Sequence, residues 1–204
     1  MDLEWLLRPL ADIPQLGGTA PEQYRTVYEP LETLSYVAAL TSRIRLGTSV
    51  IDALFHPPVV LARRFATLDR SSGGRVIAGL GQGWMPQEFG TAGIPMRRRG
   101  AGMDEAIAAM RACWGPDPVA YEGRFYRIAP SEVNPKPVQA HIPVLMGATT
   151  PAGITRAARI ADGINPHAFS LDALVGVIAT FHDAARAEGR DPGTPGPSPS
   201  SPWR

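Results

Sequence analysis

Arg75-Val-Ile-Ala-Gly-Leu-Gly-Gln-Gly-Trp84 is the stretch whose reading decides the fold. It opens as a short apolar run of the kind buried on both faces of a parallel sheet, and it follows a Ser71-Ser72-Gly73-Gly74 turn. A strand ending near Leu80 is therefore expected. Gly79, Gly81 and Gly83 then alternate with other residues, so the backbone at the strand's carboxyl end carries almost no side-chain bulk and a flat ligand could lie against it. A tight strand-to-helix turn, which needs one or two of these glycines, accounts for the same residues, and Pro86 suits the first turn of the helix that would follow. The spacing is not G-x-G-x-x-G and lacks the later acidic residue of a dinucleotide site; G-x-x-x-x-G-K-[ST] does not occur, so a P-loop is excluded.

Working outward, Pro30 opens a helix with Leu31, Leu34, Ala38 and Thr41 on one face, and Ile44 to Ile51 reads as a strand. Asp52 to Pro58 is a loop; Pro57 and Pro58 start a helix presenting Leu61, Phe65 and Leu68. Downstream of Trp84 the chain passes Arg97-Arg98-Arg99 and enters a helix with Met103, Ile107, Met110 and Trp114 as its buried stripe. Residues 115–141, with five prolines at 116, 118, 130, 135 and 137 and a Tyr121 to Ile128 segment of strand character, suggest an extended excursion. Ile142 to Gly147 is a buried strand, Thr149 an N-cap, and Ile154, Ala157, Ala158 and Ala161 a helix face. Asp162 to Pro166 looks like a short strand, and Ser170 caps a last helix closed by Gly189. This alternation is a chain of βα units building a parallel sheet.

Bulk properties narrow the function. The 204 residues are 44% hydrophobic, enough for one globular core, and the net charge of +1 argues against a nucleic acid or membrane surface held by charge alone. A single cysteine, Cys113, forms no intrachain disulfide. With an acidic amino terminus and no apolar run of membrane-spanning length, a soluble cytoplasmic protein is expected. Residues 1–29 carry little pattern and are read as irregular, 30–190 as the folded unit, and 191–204, rich in Pro, Gly and Ser, as a disordered tail.

These motifs together resemble the bacterial luciferase-like flavin and deazaflavin oxidoreductases. The matching stretches are Thr41 to Val50, His56-Pro57 with Leu61-Ala62 and Ala66 to Asp69, Ser72 to Arg75, Gly81-Gln-Gly-Trp84 with Glu88-Phe89, Tyr121 to Tyr126, Pro135-Lys-Pro137, Pro143 to Gly147, and Ala161-Asp-Gly163. The likeness covers roughly residues 28 to 190, and the order of the motifs is far more specific than any one of them. It looks most like the subgroup using coenzyme F420, a reduced 8-hydroxy-5-deazaflavin; FMN-using members share many of the same stretches. The resemblance implies a (β/α)8 TIM barrel with its cofactor at the carboxyl ends of the strands. It implies that Thr48, Ser49 and Val50 lie in a bulge, often with a non-proline cis peptide, supporting the ring; that Gln82 and Gly83 edge it; and that Gly147, Ala148 and Thr149 wrap the ribityl phosphate. For the last, the amino end of a helix independently favours an anion. No catalytic acid or base is assigned.

Family members run to about 250 residues or more. Here the first strand, first helix and second strand, with an Asp-His pair associated with the reaction centre, and the last two strands have no counterpart. The expectation is a partial barrel of about four or five parallel strands, truncated at both ends and frameshifted near Gly193. His141, His167 and His182 lack metal-site spacing, and no metal is expected. His56 reads as a hydrogen-bonded loop histidine ahead of a ligand contact, Asp52 as an exposed loop carboxylate ahead of an acid or base at a strand end, Arg97 to Arg99 as a solvated charged loop ahead of a contact to an acidic cofactor tail, and Asp162-Gly163 as a turn. Two functions of different class remain open. One is an oxidoreductase passing hydride between reduced F420 and a small organic molecule, with FMN-dependent monooxygenation as the alternative. The other is an inactive remnant whose unpaired sheet edges invite a homodimer, aggregation or degradation.

Overall fold

The structure, a computed structural model, describes residues 6–167 and 170–192. Met1 to Trp5 and most of the expected tail, residues 193–204, lie outside the described residues. After short 3-10 turns at Pro14–Leu16 and Glu22–Tyr24, the order is α1 (Pro30–Leu40), β1 (Leu46–Gly47), β2 (Ile51–Asp52), α2 (Pro58–Ser72), β3 (Val76–Gly81), α3 (Pro86–Thr91), α4 (Arg99–Trp114), β4 (Val119–Glu122), β5 (Arg127–Ser131), β6 (Val144–Gly147), α5 (Pro151–Ile160), β7 (Gly163–Asn165) and α6 (Leu171–Ala187). Proline occupies the first turn of α1, α2, α3 and α5, where its missing N–H costs the helix nothing. Gly73, at φ +68°, ends α2 with its N–H on the carbonyls of Asp69 and Arg70, and only glycine adopts that backbone without strain.

The sheet runs β1-β3-β6-β7, with β2 also beside β3, and every one of these pairs is parallel. Four strand positions thus follow in chain order with helices between them, as in an arc of a (β/α) barrel; within the described residues β1 and β7 form its edges. The excursion proves to contain an antiparallel hairpin, β4 against β5, outside this sheet. Leu61, Phe65 and Leu68 from α2, Met103, Ile107 and Met110 from α4, and Val76, Ala78, Leu80, Val144 and Met146 from the strands form one buried cluster. Trp114 sits at the rim of that cluster rather than inside it, edge-on to Phe65, because its indole N–H reaches the Ala62 carbonyl at 2.9 Å.

Buried polar groups tie down the amino-terminal end of the strands. Arg75 spends its guanidinium on the carbonyls of Ala38, Thr41, Ile44 and Ser72 and on the Thr41 hydroxyl, closing the carboxyl end of α1 where a cation is favoured. Asp69, fully buried, accepts from the backbone of Val138 and Gln139 and from the Gln139 amide, which fastens the returning excursion beside β3. Asp162 is no plain turn residue. Its carboxylate, 6% exposed, takes Arg111 at 3.0 Å, His141 at 2.8 Å and the Val144 amide at 2.7 Å. Burial works to raise this carboxyl, but the His141 hydrogen bond, the Arg111 charge and the Val144 amide outweigh it and hold it below the ordinary carboxylate range.

The expected single strand Ile44 to Ile51 is interrupted. Leu46 and Gly47 pair with Val76 and Ile77, and Ile51 and Asp52 pair with Leu80 and Gly81, so four chain steps face three and one extra residue bulges out. The Ser49-Val50 peptide within the bulge is cis, the arrangement the resemblance implies. What receives the bulge is the glycine row of β3. A β-carbon on Gly79 would collide with the Thr48 carbonyl, and one on Gly81 with Asp52 and Val50. Thr48 completes the joint, its hydroxyl donating to the Gly79 carbonyl at 2.7 Å and accepting from the Gly79 N–H at 3.0 Å.

Two outcomes follow from this packing. Gly79→Ala meets backbone, which no rotamer change relieves, and is expected to cost about 2–3 kcal/mol or more in a urea titration; a loss under about 0.5 kcal/mol would show that the bulge is not seated on Gly79. Asp162→Asn strands the buried Arg111 and is expected to cost about 3 kcal/mol at pH 7. Because the folded carboxyl titrates below its unfolded value of about 3.9, its contribution is full above that pH and disappears as the pH falls through the folded value. The gap between wild type and variant therefore narrows in acid, and a gap constant from neutral pH down to about 3 contradicts the assignment.

Candidate functional site

At the carboxyl ends of all four strand positions the backbone opens into one cleft of about 220 Å³. β2 and its bulge contribute Ser49, Val50 and Asp52, and the end of β3 contributes Gly81, Gln82, Gly83 and Trp84. From β6 and the turn into α5 come Gly147, Ala148, Thr149 and Thr150; beyond β7 come Asn165, Pro166 and His167, and Arg99 opens α4 on the same rim. This is the end of a parallel sheet at which ligands bind, because the loops there are free to vary while the opposite end holds the strands together.

Of the eight residues proposed from sequence, Ser49, Val50, Gln82, Gly83, Gly147, Ala148 and Thr149 line this cleft together. Thr48 does not. It is 4% exposed and its hydroxyl is consumed by Gly79, so it anchors the bulge from behind. The glycines also act differently from the initial reading. Their bare faces are filled by protein, Gly79 and Gly81 by the bulge and Gly83, at φ +70°, by Phe89 and Phe55, whose rings stand edge to face 5.1 Å apart. The bulge that the glycines admit in turn lines the cleft with Ser49 and Val50.

The cap of α5 is displaced by one residue. Thr150, not Thr149, is the N-cap, its hydroxyl accepting from the Gly153 N–H at 3.2 Å, because Pro151 at the first helical position sets the register. Ile154 N–H begins the helix ladder on the Thr150 carbonyl, which leaves the Ala152 N–H of the first turn to neither cap nor ladder. Thr149, exposed, sits just before the cap with its residue on the cleft.

Several cleft residues stand outside the cofactor set expected from the sequence. Asp52 is 8% exposed rather than a solvated loop group, and its Oδ1 accepts the Gly83 N–H at 2.8 Å, locking the β3 turn to the bulge. Its position at a strand end was the available signal. Asn165 Nδ2 donates to Ser49 Oγ at 2.9 Å, linking β7 to the bulge across 116 residues of sequence. The arginine run divides three ways: Arg97 is exposed, Arg98 stacks 4.8 Å from the Phe125 and 4.6 Å from the Tyr126 ring centre, and Arg99 lines the cleft. His56 lines a separate hollow of about 510 Å³ between the start of α2 and the hairpin tip. Among the described residues no cluster of His, Cys, Asp and Glu is arranged to hold a metal ion, and no helix is long and apolar enough to cross a membrane.

Comparison with known proteins places this geometry. An uncharacterized protein of Mycobacterium tuberculosis is 40% identical over 171 residues, 82% of this chain and 61% of the relative. An F420-dependent glucose-6-phosphate dehydrogenase of Kineococcus radiotolerans is 36% identical over 166 residues, 80% of this chain and 47% of that enzyme. The coenzyme F420 dependent tetrahydromethanopterin reductase of Methanopyrus kandleri superposes with a TM-score of 0.72 at 26% identity, covering 81% of this chain and 52% of that one. The chain thus spans about half to three fifths of the length of these proteins. Residues 18–202 match the description Luciferase-like monooxygenase, and the chain, a partial α/β barrel with its cleft over a bulged strand, belongs to that family.

Proposed function

We propose that this chain binds reduced F420 in the cleft and takes part in hydride transfer to a small organic molecule. The observation that carries the reading is the convergence of Ser49, Val50, Gln82, Gly83, Gly147 and Thr149 from three strand ends on one cavity, behind which the bulge is pinned at three points, by Thr48, Asp52 and Asn165. The cofactor, when bound, supplies the redox chemistry; the protein supplies place and orientation. A flat ring fits the residues present. Val50 and the Ser49-Val50 peptide give it a floor, Gln82 and Gly83 an edge, and the turn Gly147 to Thr150 leading into α5 a place for the anionic tail.

The F420-dependent enzymes among the relatives favour the deazaflavin. FMN-dependent monooxygenation is the second reading, favoured by the description under which the family matches. Since the chain spans only part of its relatives, the substrate belongs to the proposal only as a class, a small organic molecule.

The test is direct binding. Purified chain mixed with F420 or with FMN and passed through gel filtration is expected to carry the chromophore with it, F420 in preference; co-migration of neither defeats the proposal. Asn165→Ala removes the link to Ser49 and is expected to weaken cofactor binding by roughly three- to tenfold while leaving the unfolding midpoint nearly unchanged.

A further inference from the structure

We infer that the hollow of about 510 Å³ between the start of α2 and the hairpin tip is a second binding site, built for a flat apolar carboxylate whose charge meets Arg98. The inference is independent of the functional reading above, because this hollow and the cleft share no lining residue. Phe55, whose ring tip would stand 3.0 Å from a β-carbon on Gly83, separates the two.

The walls are held in place by the fold. The hairpin tip is fastened to α4: Glu105 accepts the Arg124 N–H at 3.1 Å and the Phe125 N–H at 2.8 Å, and a β-carbon on Gly123 would collide with the same carboxylate. On the side of α2, Pro57 and Pro58 stiffen the entry to the helix. Phe55, Val59, Ile94, Phe125, Tyr126 and Ile128 line the space, each apolar or aromatic and each only half-buried. Pockets for small ligands run from about 300 to 1,000 Å³, and apolar side chains left partly open to water gain by contact with an apolar body. Three of the six are rings, which favours a flat one.

The charge of the lining is of one sign. Among the described residues that line the hollow none is acidic, and the two arginines differ in kind. Arg127 is exposed and reaches an exposed Glu122 at 3.7 Å. Arg98 is half-buried and fixed: its guanidinium lies 4.8 Å from the Phe125 and 4.6 Å from the Tyr126 ring centre. Its stem folds back over α4 where Gly102 leaves room, since a β-carbon there would stand 2.6 Å from Arg98 Cγ. The guanidinium's hydrogen-bond partners are neutral, the Phe125 carbonyl at 3.3 Å and the Tyr126 hydroxyl, and its Nε is buried without a partner. Glu105, the carboxylate that reaches the hairpin, is taken up by the hairpin amides. A guanidinium set among apolar walls with no counter-charge attracts a carboxylate more strongly than one in water does, and its planar fork can take both oxygens. An uncharged molecule of the same shape gains the walls but not the charge.

The experiment is a calorimetric titration of the full chain with 2-naphthoate and with 2-naphthamide, its uncharged counterpart of the same shape. The wild type is expected to bind the naphthoate roughly tenfold or more tightly than the amide, and Arg98→Gln to bring the two within about twofold, while Arg98→Lys keeps part of the preference. Ala92→Trp, which fills the hollow, is expected to weaken both ligands by roughly tenfold or more, and it decides the matter should the Arg98 variants fail to fold. A wild type that binds neither ligand or both alike, a preference unchanged in Arg98→Gln, or affinities unchanged in Ala92→Trp overturns the inference. So does displacement of the naphthoate by saturating F420 or FMN, which would put it in the cleft. A chain that binds neither cofactor defeats the functional reading alone, and the naphthoate and naphthamide pair still decides this one.

Discussion

The seating of one irregular segment on a row of glycines governs the arrangement of the whole site. A parallel sheet is normally a repetitive object, each strand presenting side chains to both faces at a fixed period. Here the segment from Thr48 to Asp52 leaves the ladder by one residue and swings over β3, and it can do so only because Gly79 and Gly81 present no β-carbon where it passes. Thr48 and Asp52 then close the joint at either end by hydrogen bonds to Gly79 and Gly83. The cleft is a consequence of that joint. Without the displaced segment the strand ends would be a flat rim, and Ser49 and Val50 would not project into the space bounded by Gln82, Gly147 and Asn165.

Much of the fold is legible in local sequence because local rules apply to it. Prolines 30, 58, 86 and 151 mark helix starts, Gly73 marks a stop, and the apolar spacing of Leu61, Phe65 and Leu68 and of Met103, Ile107 and Met110 identifies the faces that become buried. The reading of Ile44 to Ile51 as one strand fails for a reason outside local rules. Its composition is that of a strand throughout, and the interruption is dictated by what lies beside it, the glycine row some thirty residues later. Only the family resemblance anticipated a bulge there.

The site divides in the same way. Residues that contribute backbone, such as Gly83, Gly147 and Thr149, leave a trace in sequence because glycine and helix-cap positions are sparse and patterned. Residues that contribute a polar side chain through a long-range contact leave little. Asp52, Asn165 and Arg99 are ordinary polar residues in their own neighbourhoods, and each acquires its position from a partner or a wall built by another element. Thr48 is the converse case, a member of the right segment that faces the wrong way, since alternation along the bulge turns its hydroxyl into the sheet. Glycine alternation misled in a parallel fashion: room made in a backbone need not be room for a ligand, and at Gly79 and Gly81 it is room for the protein itself.

Polar groups at the two ends of the sheet are used in opposite ways, and this explains how an irregular rim can exist on an ordinary scaffold. At the amino-terminal end Arg75, Asp69 and Arg111 are buried, Asp162 pairs with Arg111 and with the half-buried His141, and these groups are joined to backbone from several elements, so charge there is converted into fixed geometry. At the carboxyl-terminal end the helix starts of α4 and α5, the Gln82 backbone and Arg99 face a cavity. Burying polar groups is costly unless each is joined to a partner, and the paired end holds the strands in register with interactions that vanish only when the sheet itself comes apart. That leaves the opposite rim free to hold donors in place for a ligand rather than for the fold. The division also accounts for why Thr48, Asp52 and Asn165, though at the rim, point inward: they transmit the rigidity of the paired end to the one segment that departs from the sheet.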